Sequence, residues 1–379
     1  MGVVVVEPTP FAARRLDTLK ANVTATLAIH GIEADMEQDG YLLILHPDEP
    51  VDAMYALGDV FGIESVCIAD AAEKGFAALV DAVTSVGRDV LHKDEIFHVE
   101  VVGSAGGVVA RDVEFAATAA LLSELSSLNI RPSSRDYDRL IRVYVSDDNA
   151  YVCRLCREGS GGLPVGSNGS ALCCIYDCIS ATAAYVLAEH GFYPSITAIY
   201  TDTGMLRGIA KSIGVIARML GRKVIELRYT QCKGRADDSF SRRHYRLTLL
   251  ASLLLDRLVA DAGMPDRRST KIALPLSTSL HDMEFISNVM DRVSSKGVML
   301  PLMFSSNILR YQRVFGAGCA MEVRDVAKAS CMVDREHVEE EVAECMANMR
   351  VLEVSVGPNM VHEIVDGVMK GEGGVSSSR

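Results

Sequence analysis

The sequence lacks most of the short motifs that announce an activity. No GxGxxG, no HExxH and no Ser…His…Asp order can be made out in its 379 residues. Spacing alone therefore assigns no reaction. No apolar run approaches the roughly 20 residues that a bilayer span needs. The best candidate, 247–260, is broken by Asp256 and Arg257. The opening MGVVVVEPTP is too short for a signal peptide and reads as a strand ended by prolines. No internal repeat is found. These absences lead to the expectation of a cytoplasmic protein with no membrane partner.

A basic surplus is missing as well. The net charge is −12, and residues 1–150 hold 11 Lys+Arg against 25 Asp+Glu. The remainder is nearly balanced, with 27 against 25. Nucleic-acid binding usually leaves a basic surface, so any RNA contact has to rest on local patches. One patch holds Arg131, Arg135, Arg139 and Arg142; the other holds Lys233, Arg235, Arg242, Arg243 and Arg246. Taken alone, each reads better as solvated charge offset by neighbouring aspartates.

What is present is a change of pattern along the chain. Residues 1–66 read strand, helix, strand, helix, and 67–157 read as a second small α+β unit ending in a hairpin at 139–145 and 150–155. The segment 158–169, EGSGGLPVGSNG, has five glycines and a proline and reads as a linker. After it, strands and helices alternate as in a doubly wound parallel sheet over 170–360. Residues 361–379 are expected to form a tail.

If the protein is cytoplasmic, as expected, its ten cysteines should be thiols or metal ligands rather than a disulfide frame. Cys153, Cys156, Cys174 and Cys178 have the approximate spacing of a four-cysteine zinc or iron–sulfur site. Against this, Cys173 and Cys174 sit inside an apolar strand. Residues 153 and 156 also point to opposite faces of a strand unless it ends between them. Cys232 and Cys331 each lie near basic residues and are candidates for a reactive thiol. His281 and Asp282 follow a predicted parallel strand, where ligands bind, although helix capping explains the same cluster.

Several segments, in order, resemble one family: the tRNA 4-thiouridine synthetases, or tRNA sulfurtransferases, which are linked to thiamine biosynthesis. Val60-Phe61-Gly62-Ile63-Glu64-Ser65 resembles the family's V-F-G-I-x-S turn, and Gly161-Gly162-Leu163-Pro164-Val165-Gly166 its G-G-L-P-V-G linker. Ala183-Ala184-Tyr185-Val186 resembles the helix after its PP-loop. Ser279-Leu280 and Leu300-Pro301-Leu302 fall at two later motifs. The resemblance covers roughly residues 1–350. It implies an α/β multidomain protein: a ferredoxin-like domain at 1–66, a THUMP domain at 67–157, and a PP-loop-like domain at 170–360. It implies tRNA or another structured RNA as partner, held in part by Arg131, Arg135, Arg139, Arg142, Arg242 and Arg243; a homodimer is left open. It also implies ATP and Mg as cofactors, and a persulfide on Cys331 as sulfur donor.

The departures lie where the chemistry belongs. The family's S-G-G-x-D-S loop corresponds to Ile175, Tyr176, Asp177, Cys178, Ile179 and Ser180, of which only the serine remains. Two glycines that let backbone N–H groups approach a pyrophosphate are replaced by Tyr176 and Asp177. The T-G-E-S-L-G-Q segment has become Leu276 to Asp282, including Ser279 and His281, without its glycines or glutamate. The expectation is a degenerate active site on a retained scaffold: an RNA-binding, non-catalytic relative. The alternatives are an active ATP-dependent sulfurtransferase using Cys331, and a metal-binding or protein-interaction module. Within the loop, Asp177 or Ser180 should cap the following helix, Cys173 and Cys174 should pack in the sheet, and Tyr176 should occupy phosphate space.

Overall fold

The computed structural model describes residues 2–103, 109–235, 239–261, 271–293, 297–303, 312–327 and 336–373. The chain divides at Gly162 into two compact units, 1–162 and 163–379.

The first unit begins with β1 (Val3–Pro8), α1 (Leu16–Ile29), β2 (Ala34–Asp39), β3 (Leu42–Pro47), α2 (Pro50–Leu57) and β4 (Ile63–Ala72). It continues with α3 (Phe76–Val90), β5 (Ile96–Gly103), α4 (Ala110–Glu124), β6 (Arg131–Pro132), β7 (Arg139–Val145) and β8 (Ala150–Gly161). All eight strands form one mixed sheet in the order β2-β3-β1-β4-β8-β7-β5-β6. The run Val3-Val4-Val5-Val6 is buried throughout because it serves both faces: Val4 and Val6 pack under α1 and α2, Val3 and Val5 on the other side. Under α3 and α4 lies a separate core of Leu79, Val83, Val113, Leu121, Ile141 and their neighbours. The turn between β2 and β3 is tied to the β7–β8 hairpin by Asp39. Its carboxylate accepts from the N–H groups of Asp148 and Asn149 and from the Tyr151 hydroxyl at 2.9, 3.1 and 2.9 Å.

Three details depart from the sequence reading. The boundary expected at 66/67 falls inside β4, which pairs with β1 on one side and β8 on the other. The glycine-rich segment expected as a linker is strand as far as Gly161, because β4 supplies it with a partner. Finally, a register shift between Ile68 and Ala69 marks a β-bulge: Ile68 pairs with Leu155, but Ala69 pairs with Cys153, so Arg154 is the extra residue. The bulge turns Cys153 and Cys156 to the same face, which strand alternation alone forbids.

The second unit holds β9 (Ser170–Ile175), α5 (Cys178–Glu189), β10 (Tyr193–Tyr200), α6 (Thr203–Arg218), β11 (Val224–Gln231) and α7 (Phe240–Asp261). It continues with β12 (Lys271–Ala273), α8 (Met283–Arg292), β13 (Val298–Met299), α9 (Gln312–Phe315), α10 (Ala317–Ala327), α11 (Glu336–Ala347), β14 (Arg350–Ser355) and α12 (Met360–Gly373). Its sheet runs β13-β12-β9-β10-β11-β14. Five strands are parallel, as expected; β14 is antiparallel to β11 and corrects the all-parallel reading. Arg350, three residues after α11, already lies beside Tyr229 near the carboxyl end of β11, so β14 can only run back along it. The expected tail at 361–379 begins with α12, which packs on α6 and β14. No helix among the described residues is long and apolar enough to cross a membrane.

Candidate functional site at the carboxyl ends of the second sheet

Strand β9 is a buried apolar run, and it ends at Tyr176-Asp177 where α5 begins. Asp177 is the N-cap: its Oδ1 accepts from the Ser180 N–H at 2.8 Å. The Ser180 hydroxyl in turn accepts from the N–H groups of Tyr176 and Asp177, both at 3.0 Å. This reciprocal capping box uses protein oxygens for backbone donors that a glycine-rich loop would leave for an anion. Ile179 is buried in the same turn, and Cys173 and Cys174 are buried in β9.

The other carboxylate oxygen of Asp177 lies 2.5 Å from His244 Nδ1 on α7. His244 Nε2 is 3.0 Å from His281 Nε2, and His281 Nδ1 faces the N–H and carbonyl of Ser277. Asp177, His244 and His281 thus form one buried polar chain joining the ends of β9, α7 and the loop after β12. Burial would raise the Asp177 carboxyl, but His244 and the Ser180 donors outweigh it and hold it below the usual carboxylate range. Burial, reinforced by His244, lowers His281 to about 3, so it is a neutral ring. Tyr176 is buried as well, with its hydroxyl 2.7 Å from Thr248 Oγ1.

Beside this chain is a cavity of about 400 Å³, lined in part by Tyr176, Asp177, Cys178, Asp202, Lys211 and Arg243. Asp202 caps α6, accepting from the Met205 N–H at 3.0 Å. Arg243 stacks over the Phe240 ring. Ser279 is exposed and does not line the cavity; its N–H meets the Ser277 hydroxyl.

The remaining sequence candidates are scattered. Cys174 and Cys178 do not join Cys153 and Cys156; the group that forms among the described residues is Cys67, Cys153 and Cys156. Cys67 and Cys156 are joined as a disulfide, contrary to the expectation of thiols only. Cys232 is buried and its thiol is pushed up to about 12, which removes the low-pKa environment that a nucleophile needs. Cys331 lies outside the described residues. Arg139 pairs with Glu95, and Arg142 with Glu100 and Glu7, whereas Arg131 and Arg135 are exposed. In the second patch, Lys233 pairs with Glu344, and Arg235 and Arg246 with Glu341; Arg242 is exposed.

No family model matches the chain. In sequence it is 24% identical over 204 residues to a probable tRNA sulfurtransferase of Streptococcus sanguinis, covering 51% of this chain and 50% of that protein. It is 28% identical over 181 residues to the probable tRNA sulfurtransferase of Geobacillus kaustophilus, covering 46% and 44%. The chain therefore spans about half the length of the curated relatives it matches. In fold it is similar to a 4-thiouridine synthetase solved as an RNA complex with bound ATP, with a TM-score of 0.67, 14% identity and coverage of 94% of this chain and all of that one. A second similar fold is PH1313 of Pyrococcus horikoshii, with a TM-score of 0.62, 18% identity and coverage of 83% and 100%.

The chain is thus similar in sequence, over about half its length, to proteins named probable tRNA sulfurtransferases. The site residue with no counterpart among the sequence candidates is His244. It sits in an ordinary-looking helical stretch, SRRHYR, and gave no signal of its own. The one available signal was Asp177 itself, since an aspartate buried at a strand–helix turn requires a partner.

Proposed function

We propose that this chain is an RNA-binding relative of the tRNA sulfurtransferases in which the nucleotide loop is closed and the ATP-dependent step is lost. In this reading, residues 1–66 and 67–157 are the ferredoxin-like and THUMP parts of one RNA-holding unit, and 170–360 is a PP-loop-like scaffold. The observation that carries the proposal is the capping box at Asp177 and Ser180. A triphosphate at this turn needs free N–H groups and room for its oxygens. Here the N–H groups of Tyr176, Asp177 and Ser180 are bonded to protein oxygens, and a carboxylate stands where an anion would have to sit. The residues present do not fit a phosphate group. Exposed Arg131, Arg135 and Arg242 supply point charges for a phosphate backbone.

Titration calorimetry with ATP–Mg is the direct test. No binding is expected at micromolar nucleotide; a micromolar Kd would overturn the closed-loop reading. Fluorescence anisotropy with unmodified tRNA tests the other half. Binding should weaken as salt rises and fall several-fold in an Arg131→Ala/Arg135→Ala variant. A chain that shows no tRNA binding at physiological salt is not an RNA-holding protein. If ATP does bind, Cys331→Ala combined with a 4-thiouridine assay in the native host decides whether sulfur transfer is retained.

A further inference from the structure

The first unit contains a cluster that this reading does not use. Cys67, Cys153 and Cys156 place their sulfurs within 4.8 Å of one another. Two of these belong to a disulfide, Cys67–Cys156, and the third is a thiol. The arrangement is built by the backbone. Cys67 on β4 lies opposite Cys156 on β8, and the bulge at Arg154 returns Cys153 to the same face. Cys67 and Cys153 are fully buried in a core with Val3, Val5, Tyr144 and Tyr151, whereas Cys156 is only partly buried and offers a way in.

We propose that Cys67, Cys153 and Cys156, when reduced, form a three-sulfur site for a thiophilic monovalent cation, Cu(I), and that the Cys67–Cys156 disulfide is its oxidised, metal-free form. The ligand chemistry selects the ion. Sulfur donors favour soft cations. Structural zinc takes four ligands, and among the described residues no histidine or carboxylate joins this group of three. Metal–sulfur bonds of about 2.3 Å put ligand sulfurs roughly 4 Å apart, so opening the disulfide allows the three to close on one ion with little backbone movement.

The redox step balances with a dithiol reductant. The Cys67–Cys156 S–S bond gains two electrons and two protons to give two thiols, and the reductant leaves as its own disulfide. Binding of Cu(I) then replaces thiol protons, which pass to solvent.

The test uses the full chain, reduced by a dithiol and freed of reductant under argon. Cu(I) is titrated in competition with bicinchoninate, and the protein is then exposed to oxidised glutathione, trapped with N-ethylmaleimide and mapped for the 67–156 disulfide. One equivalent of Cu(I) should block re-formation of that disulfide. Cys153→Ala should bind Cu(I) at least tenfold more weakly and lose the protection, and Cys345→Ala, in the other unit, should do neither. The proposal is overturned if the disulfide re-forms equally with and without Cu(I), if it resists reduction in the folded chain, or if Zn(II) protects it and Cu(I) does not. Wild-type affinity retained by Cys153→Ala overturns it as well. If that variant does not fold, the wild-type protection arm decides alone.

Discussion

Replacing Asp177 separates the two contacts it makes. Asp177→Ala removes the cap of α5, at a cost of about 1 kcal/mol. It also leaves buried His244 without its acceptor, at about 1–3 kcal/mol. Asp177→Asn keeps an oxygen for the Ser180 N–H but places an amide NH2 where the second carboxylate oxygen meets His244 Nδ1. Urea unfolding should therefore show the alanine variant destabilised by about 2–4 kcal/mol and the asparagine variant by less. Equal losses would mean that the cap contributes nothing. His281 supplies a pH signature for the same buried chain. Its folded pKa of about 3 lies below the ordinary value of 6.5. Between those values the unfolded chain binds the extra proton, so stability is present above pH 6.5 and is lost as the pH falls toward 3. The slope from this ring alone approaches about 1.4 kcal/mol per pH unit. Asp177, held below its ordinary 3.8, adds stability that is present above that value and is lost as the pH falls below it. Urea midpoints between pH 7 and pH 4 should fall in the wild type and fall less steeply in His281→Gln. Parallel profiles would show that the ring is not buried neutral.

At the scale of elements, most helices and strands were legible because their apolar residues recur at 3.6 or 2. The exceptions have identifiable causes. Strand β2, ADMEQD, is a sheet-edge strand with a single buried residue, so it has little apolar alternation to read. The end of β8 looked like a loop because its sequence is Gly-Ser-Gly. Gly159 is there because a Cβ would collide with the carbonyl oxygen of Ile63 on β4. Gly159→Ala should therefore cost about 1–3 kcal/mol by overpacking, whereas Gly75→Ala, at the entrance to α3, meets only the Ala78 methyl at an ordinary distance. Thermal melts of the two variants check the contrast, and equal melting temperatures would remove the close-approach account. The bulge at Arg154 was equally invisible. Nothing in AYVCRLCREG says which residue is skipped, and the convergence of Cys153 and Cys156 depends on that choice. The loop at 175–180 was the reverse case: its missing glycines announced the change, and the structure added the partner, His244, that makes a buried aspartate tolerable.

At the scale of the whole molecule, the sequence suggests a small unit ending at residue 66, whereas the sheet carries β4 across that point. The consequence is measurable. A fragment 1–66 would end partway along β4 and would lack β8, which pairs along the rest of that strand. It would also expose Val3, Val5, Leu42 and Ile44, which share a core with Tyr144, Tyr151 and Cys153. The Asp39 carboxylate would lose the donors of Asp148, Asn149 and Tyr151. A fragment 1–162 keeps all eight strands and all three of these apolar clusters, a size at which a domain folds alone. The expectation is that 1–162 unfolds cooperatively in urea with dispersed amide resonances, while 1–66 gives a random-coil spectrum. A dispersed spectrum from 1–66 would show that the first four strands carry their own core. The 67–157 segment would then have to be treated as a separate module rather than as half of one sheet.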